Sequence, residues 1–167
     1  MNKNKNKKDI WDSVRTTLIS SRKGLPLQPV SRDGTLPLSF AQERLWFLEQ
    51  LQPGSAVNNF PVAFRLEGLL NLEALERSLN EIVRRHEVLR TTFPSVDGQA
   101  VQVISPQLDL KLSVIDLQEF PPEQRQEEAH RQTAEAAQQP FDLVREPLLR
   151  VQRLKLTEAE YILVLVM

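Results

Sequence analysis

The sequence predicts an α+β domain in which helices pack in layers on a β-sheet. Two segments, 39–51 and 71–89, repeat apolar residues at the three- and four-residue spacing of an amphipathic helix. Between and after them lie short alternating segments that end at turn residues, as strands and hairpins do. The last segment, 161–167, is apolar at every position, which is typical of a strand covered on both faces.

Length and composition place these elements in one globular domain. The chain has 167 residues, of which 41% are hydrophobic and 26% charged, enough for a single apolar core. Its formal net charge of -1 gives no general attraction for nucleic acid or anionic lipid, and no apolar run reaches the roughly 20 residues of a membrane helix. The lack of cysteine removes disulfides, thiolate zinc sites and thiol nucleophiles. We therefore expect a cytoplasmic protein that binds neither nucleic acid nor membranes.

Residues 1–35 are expected to lie outside the folded domain, which then comprises residues 36–167. The Asn/Lys-rich start, 1–8, is too polar to offset its ordering entropy and predicts a disordered basic tail. Residues 9–22 predict a short amphipathic helix with Asp9 as its N-cap, followed by a Pro- and Gly-rich linker. Because so short a helix is marginal alone, it would dock on its own domain or on another protein.

The helix predicted over 39–51 begins with a capping box. Ser39 and Gln42 form the pattern S-x-x-Q, in which each side chain satisfies a free backbone N–H of the other residue. One side of this helix is apolar: Ala41, Leu45 and Leu48 lie along it, and Trp46 and Leu51 widen it.

The strand predicted over 59–66 alternates between two faces. Its apolar face is formed by Phe60, Val62, Phe64 and Leu66, so the strand should be half-buried. Because Pro61 cannot donate a ladder hydrogen bond, it should lie at a sheet edge or near the start of the strand.

The helix predicted over 71–89 has Asn71 as its N-cap and Glu73 near its positive end. Its apolar face is expected to pack on the sheet and contains Leu72, Leu75, Leu79, Ile82, His86 and Leu89. Since His86 lies on that face, we expect its role to be structural.

Two further strand regions follow the second helix. Residues 91–104 predict a hairpin, because Asp97 and Gly98 tolerate the positive φ of a tight turn. Residues 108–114 alternate as another strand.

The end of the chain predicts one outer helix and a last hairpin. The helix over 121–138 is polar, with mainly alanine as apolar content, and should lie on the outside of the domain. The hairpin joins residues 148–156 to the apolar strand 161–167. A central strand that is also the last segment lacks part of its surroundings, so we expect the chain to be truncated there.

The residues alone indicate no catalytic centre. There are two histidines, His86 and His130, and no Gly-rich phosphate loop or G-x-S-x-G elbow. Glu127 and His130 have the i, i+3 spacing of some metal sites, but a second such pair is missing, so no metal site is expected. The arginines near the end of the second helix either complement its dipole or pair a carboxylate from elsewhere: Arg84, Arg85 and Arg90.

Residues 39–51 read SFAQERLWFLEQL and residues 85–93 read RHEVLRTTF. They resemble the first two core motifs of the condensation domains of nonribosomal peptide synthetases, S-x-A-Q-x-R-L-W-x-L-x-x-L and R-H-E-x-L-R-T-x-F, with every fixed position filled. The resemblance covers about residues 36–167. It makes the following residues candidates to support an active site: Ser39, Gln42, Arg44, Trp46, Arg85, His86, Glu87 and Arg90.

The resemblance implies a fold and a reaction. The fold would be the N-terminal half of a chloramphenicol acetyltransferase-like domain, a mixed sheet with helices packed on it, which pairs with a second half to form a V. The family joins an upstream aminoacyl or peptidyl thioester to a downstream aminoacyl amine, both held on phosphopantetheine arms of carrier domains. Peptidyl carrier proteins or other synthetase domains are therefore the expected partners, and no cofactor is expected on this chain itself.

The family's third motif, H-H-x-x-x-D-G, contains a histidine that positions or deprotonates the amine and an aspartate that pairs with an arginine. Met167 stands where the residue before those histidines would be. The resemblance therefore implies that this chain carries no catalytic residue and is inactive alone. Arg85 or Arg90 would be the pairing arginine, with Arg90 slightly favoured, while the first motif would be mainly structural.

Two other interpretations stay open. The chain could be a non-catalytic module that binds a carrier protein or another part of a synthetase. It could also be a truncated condensation-like acyltransferase or an epimerisation domain, since these share the same early motifs.

Overall fold

The computed structural model describes residues 28–29, 31–32 and 34–167, and its elements belong to one unit, Gly34–Met167. The predicted tail 1–8 and helix 9–22 lie outside the described residues, and the predicted boundary at residue 36 stays a prediction. No helix in the described part is long and apolar enough to cross a membrane. In chain order the elements are β1 (Leu36–Pro37), α1 (Phe40–Leu51), β2 (Pro61–Glu67), α2 (Leu72–Arg85), a 3₁₀ turn (Glu87–Arg90), β3 (Thr91–Thr92), β4 (Ser95–Val96), β5 (Gln99–Ile104), β6 (Ser113–Asp116), α3 (Pro122–Gln138), β7 (Arg150–Thr157) and β8 (Glu160–Val166).

The main sheet is mixed, and β8 lies inside it. Its strand order is β2-β8-β7-β6, in which β8 pairs antiparallel with both neighbours and β6 pairs parallel with β7. Alternate residues of β8 enter two separate core clusters, Leu163 on one face and Ile162 and Val164 on the other. The prediction of a strand covered on both faces is therefore confirmed, as are the α+β class and the mixed sheet.

Helix α3 forms the outer layer on one face of this sheet. Ala129 and Ala136 are buried against Leu154, Leu156 and Ile162. Because alanine side chains are small, the helix backbone lies close to the strands, and the remaining polar side chains stay in solvent. The alanine-rich stripe is thus a packing face.

Helix α2 covers the other face, although the apolar side predicted for it was partly wrong. The buried residues are Leu79 and Val83, whereas Ile82 is 47% exposed. The helix also ends at Arg85, so that His86 is an exposed C-cap residue with φ -114° and not part of a buried face. A four-residue step from Leu79 to Val83 follows the helical turn more closely than the predicted three-residue step to Ile82.

The predicted strand 108–114 was also largely wrong. Only the segment Ser113–Asp116 is a strand, and it pairs parallel with β7. Before it, the Asn80 side chain accepts a hydrogen bond from the Leu110 N–H at 2.7 Å and donates to the Leu110 carbonyl at 2.9 Å. The alternating leucines therefore belong to a loop that is fixed to α2 and buries Leu110 at the edge of the core.

Helix α1 begins as predicted, and its apolar side is largely exposed. Both bonds of the capping box are present, with Ser39 N–H donating to Gln42 Oε1 at 2.8 Å and Gln42 N–H donating to Ser39 Oγ at 3.3 Å. None of its residues is buried, and Leu45, Leu48 and Leu51 are all exposed. This apolar side is therefore not part of the core of the described residues, and Trp46 is its one half-buried member there.

The small strands form a second sheet around β5, which pairs with β1, β3 and β4. Its turn residues have positive φ, 52° at Asp97 and 80° at Gly98, as the hairpin prediction required. In the main sheet, Pro61 is the first residue of the edge strand β2, which agrees with the expectation for a proline in a strand.

Candidate functional site

The two motifs are joined by one side-chain hydrogen bond. The indole N–H of Trp46, on α1, donates to the backbone carbonyl of Phe93 at 3.2 Å. Phe93 is buried and its own N–H donates to the Leu143 carbonyl at 2.7 Å. The last residue of the second motif is therefore held between the first motif and the loop that precedes β7.

Gln42 has a second contact besides its cap. Its side-chain amide donates to Gln102 Oε1 at 3.3 Å, and the Gln102 amide donates to the Pro37 carbonyl at 2.7 Å. These bonds tie the start of α1 to β5 and β1. Arg44, on the same helix, is exposed.

A cavity of about 190 Å³ lies where α1, Phe93, the loop before β7 and the end of β8 meet. Most of its wall is apolar, and its polar lining residues are Gln42, Glu49, Ser55, Asn58 and Asn59. A pocket that is mainly apolar with a few convergent polar groups is the usual form of a small-molecule site. The apolar lining residues are Leu45, Trp46, Phe93, Phe141, Leu143, Leu148 and Met167.

The sequence did not predict the loop 139–149, which forms one wall of this cavity. Arg150 shapes the loop 139–149, because its guanidinium lies 3.9 Å from the centre of the Phe141 ring and donates to the Gln139 carbonyl at 2.7 Å and to Glu146 at 2.9 Å. No sequence pattern indicated this set of contacts, because residues 146–150 are not helical and Pro147 separates Glu146 from Arg150.

Asn59 anchors the same loop from the other side, again without having been predicted. Its side-chain amide donates to the Ala137 carbonyl at 2.8 Å and to the Gln139 carbonyl at 2.9 Å. These are carbonyls at the C-terminal end of α3, which lack partners within the helix. No feature of the sequence near Asn59 indicated this contact.

Arg85 lies on the outer surface of α2. It shares the Glu81 carboxylate with Arg84, at 2.7 Å for each Nε. The hydrogen bonds from Arg84 and then from Arg85 lower the pKa of Glu81 from 4.5 to about 2. The guanidinium of Arg85 is therefore already engaged with a carboxylate of its own helix.

Arg90 is in a different environment from Arg85. Its side chain is 12% exposed, donates to the Ser105 carbonyl and lies 3.6 Å from Glu87. Its Nε is buried and has no hydrogen-bond partner among the residues that the structure describes. Arg90 therefore has a free donor in a low-dielectric position, where a further acceptor would be most strongly bound.

The two histidines of the chain do not meet this site. His86 and His130 are both exposed, and neither lines the cavity. Among the described residues, no group of three or more His, Cys, Asp or Glu side chains is placed to hold a metal ion.

A family model described as the condensation domain matches residues 32–167. One of the linear gramicidin synthase subunits of Brevibacillus parabrevis is 48% identical over 160 residues, which are 96% of this chain and 3% of that protein. Another of the subunits of the same synthase is 54% identical over 132 residues, 79% of this chain and 3% of that protein. The chain thus spans about 3% of the length of these relatives.

Solved structures agree with this match. The starter condensation domain of rhizomide synthetase RzmA has a TM-score of 0.72 and 27% identity, over 80% of this chain and 32% of that chain. A structure of the complex of the X-domain and OxyB from teicoplanin biosynthesis has a TM-score of 0.72 and 31% identity, over 86% of this chain and 30% of the chain matched. The first condensation domain of the CDA synthetase, with a TM-score of 0.70, 22% identity and coverage of 81% of this chain and 35% of that chain, supports the fold alone.

Proposed function

The chain belongs to the condensation-domain family of nonribosomal peptide synthetases, and we propose that it supplies the N-terminal part of a peptide-bond-forming site. The observation that carries this proposal is the hydrogen bond from Trp46 to the Phe93 carbonyl, beside an apolar cavity at the end of β8. The hydrogen bond joins the two family motifs to each other. The cavity beside it is also lined by Met167, at the end of β8, from which a catalytic loop would follow. The substrates would arrive on phosphopantetheine arms of carrier domains.

The proposed reaction is the transfer of an acyl group from sulfur to nitrogen. The amine of the downstream aminoacyl group attacks the carbonyl carbon of the upstream thioester, a C–N bond forms and the C–S bond breaks. The amine loses one proton, and the leaving pantetheine sulfur gains one. A base within hydrogen-bond reach of the amine is needed for this transfer.

We assign that base to a segment that follows Met167 in the complete domain. The support is that neither His86 nor His130 lines the cavity, while Met167 does. Of the two candidate arginines, Arg90 suits a partner from the following segment better. Its buried Nε has no acceptor within the described part of the chain, whereas Arg85 is bound to Glu81.

The first experiment is a condensation assay of the 167-residue chain alone with loaded donor and acceptor carrier proteins. We expect no dipeptidyl product above the rate without protein, because the proposed base is missing. Product formation by this chain would refute the assignment.

The second experiment tests the proposed role in an intact domain. Residues 36–167 of this chain replace the matching segment of the gramicidin synthase relative that is 54% identical, a similarity that makes the exchange feasible. The chimera should retain condensation activity, and changing the arginine at position 90 to methionine should reduce it far more than the same change at position 85. A folded but inactive chimera, or equal effects at the two positions, would contradict the proposal.

Other domains of a synthetase are the partners that the relatives support, since each gramicidin synthase relative is many times longer than this chain. Binding of a carrier protein is a proposal, as is a cytoplasmic location. A non-catalytic docking module remains the second candidate function, favoured by the exposed apolar residues Phe40, Phe47 and Leu51 of α1. Binding of this chain to an unloaded carrier protein, lost in Phe47→Lys, would support that second candidate.

A further inference from the structure

Two side chains from opposite sides of β8 donate hydrogen bonds to one backbone carbonyl. Asn59, just before β2, donates its side-chain amide to the Gln139 carbonyl at 2.9 Å, and Arg150, at the start of β7, donates to the same oxygen at 2.7 Å. A backbone carbonyl oxygen has two lone pairs, so it accepts both bonds at once. We call this arrangement of Asn59, Gln139 and Arg150 the Gln139 clamp.

The Gln139 clamp spans the end of β8. Val166 is the last residue of that strand, and it pairs with Pro61 of β2 on one side and with Arg150 of β7 on the other. Beyond it, Met167 and Phe60 exchange both backbone hydrogen bonds, at 3.2 and 2.7 Å. The two strands that flank this end are therefore tied to the same oxygen atom.

The clamp also joins the strand end to α3. Gln139 is the C-cap residue of that helix, where backbone carbonyls lack partners within the helix and form its negative pole. Asn59 donates in addition to the Ala137 carbonyl at 2.8 Å, and Arg150 donates to the Pro140 carbonyl. A cation is favourable at this pole, and the last turn of α3 contains no basic residue of its own.

Low exposure strengthens the bonds of Arg150. Its side chain is 17% exposed, and its guanidinium lies against the buried ring of Phe141. Charge-assisted hydrogen bonds are stronger than neutral ones, and more so where water is scarce. Loss of this donor should therefore loosen the attachment of the strand end to α3.

We propose that Asn59 and Arg150 are positioning residues for condensation, which act through the Gln139 clamp on the end of β8. This inference rests on the proposed function, in which the base belongs to a segment after Met167. Because Met167 bonds to Phe60, next to Asn59, the clamp fixes the point from which that segment starts. A displacement of about 1 Å can lower a catalytic rate about 100-fold, so the position of this point matters for the reaction.

A direct contact with substrate is the alternative role for Asn59, because Asn59 lines the cavity whereas Arg150 is not among its lining residues. A substrate contact would raise KM in variants of Asn59 alone. Positioning instead lowers kcat in variants of both residues and leaves KM unchanged.

The first test measures the strand end itself and needs no catalysis. The chain contains two methionines, and Met1 begins it with an amino group, so isotopic labelling of methionine nitrogen gives one backbone amide signal, that of Met167. Asn59→Leu and Arg150→Met should each speed the hydrogen exchange of this amide by about tenfold or more, since each removes a bond that holds the strand end.

Arg125→Met is the matched control for this measurement. Arg125 donates to three backbone carbonyls near the other end of α3, including that of Leu156 at 3.1 Å. An amide at a strand end exchanges through local opening. Arg125→Met should therefore lower overall stability in urea and leave the exchange rate of Met167 unchanged.

The second test uses the chimera with the gramicidin synthase relative. Asn59→Leu and Arg150→Met should each lower kcat about tenfold or more with KM for both carrier proteins unchanged, and Arg125→Met should keep the activity of the unaltered chimera. The double variant of Asn59 and Arg150 should lose little more than either single variant, because one break is enough to release the clamp. Circular dichroism at the assay temperature verifies that each variant is folded.

The two tests fail in different ways. Unchanged exchange of Met167 in both clamp variants would overturn the proposal, as would faster exchange with full activity, or an equal loss of kcat in Arg125→Met. A raised KM in Asn59→Leu alone would make Asn59 a substrate contact and the proposal wrong. If the unaltered chimera is inactive, the proposed function fails, and the exchange rates still decide whether the clamp holds the end of β8.

Discussion

Arg153 and Arg150 lie on the same strand, three residues apart, and we expect their removal to have opposite effects on stability. Arg153 is 5% exposed, its Nε is buried without a hydrogen-bond partner, and it forms no ion pair within the described residues. Its guanidinium carbon lies 5.4 Å from the centre of the Tyr161 ring. The desolvation cost of this cation is therefore poorly compensated.

Two contributions set the change in stability when Arg153 is replaced: the desolvation cost of its guanidinium and its contact with the Tyr161 ring. Replacing a buried ion pair by apolar side chains of similar volume is often neutral or stabilises a protein by roughly 1–4 kcal/mol, and we expect the same direction for a buried guanidinium that is poorly compensated. The lost contact with Tyr161 offsets about 0.5–2 kcal/mol of that. Arg153→Met should therefore raise the free energy of unfolding by about 1 kcal/mol, and Tm by about 4 °C for a domain of this size.

Arg150→Met is the matched comparison. Arg150 donates to the carbonyls of Gln139 and Pro140 and to Glu146, and it covers the Phe141 ring. Losing these charge-assisted bonds should lower the free energy of unfolding by about 2–3 kcal/mol. Urea unfolding followed by circular dichroism measures both variants. A clear loss of stability in Arg153→Met would show that the buried guanidinium is well compensated and would refute this reasoning.

Three further changes probe the core, the link between the motifs and the charged face of α2. Val83→Ala should lower the free energy of unfolding by about 2 kcal/mol, because Val83 is fully buried, and Ile82→Ala should cost much less. Trp46→Phe removes the indole N–H together with part of the ring system, and should cost about 1 kcal/mol or more in the same urea assay. The lowered pKa of Glu81, caused by Arg84 and then by Arg85, contributes stability that is present above pH 4.5 and is lost as pH falls toward about 2. Glu81→Gln should therefore make stability depend less on pH in that window.

Each of these three predictions has its own result that would contradict it. Equal costs for Val83→Ala and Ile82→Ala would mean that α2 is rotated from its described position. Unchanged stability in Trp46→Phe would mean that the bond to Phe93 is exchanged for water at no cost. An identical pH dependence in Glu81→Gln would exclude this carboxylate as a source of acid sensitivity.

Local backbone chemistry explains why several elements could be predicted. The Ser39–Gln42 capping box and the Asp97-Gly98 turn depend on atoms within a few residues, and both occur as expected. The position of β8 inside the sheet could also be predicted, because a run that is apolar on both faces cannot be stable beside water.

Periodicity could not decide which apolar residues are buried. The face of α2 was assigned to Ile82, and the structure buries Val83. The apolar side of α1 could be recognised from its spacing, yet within the described residues Leu45 and Leu51 are exposed. Burial depends on what lies opposite each helix, and a single helix sequence does not contain that information.

The family motifs, the caps and turns, the α+β class and the mixed sheet implied by the resemblance could all be predicted from the sequence. The tertiary structure alone decided that Trp46 reaches the Phe93 carbonyl, that Arg150 and Asn59 hold the loop beside the cavity, and that Asn80 fixes Leu110 to α2. The two groups of contacts differ in how far apart in the sequence the contacting residues lie. Caps and turns are formed by neighbours in the chain, whereas these contacts join residues between 11 and 80 positions apart, whose meeting depends on the packing of the whole sheet.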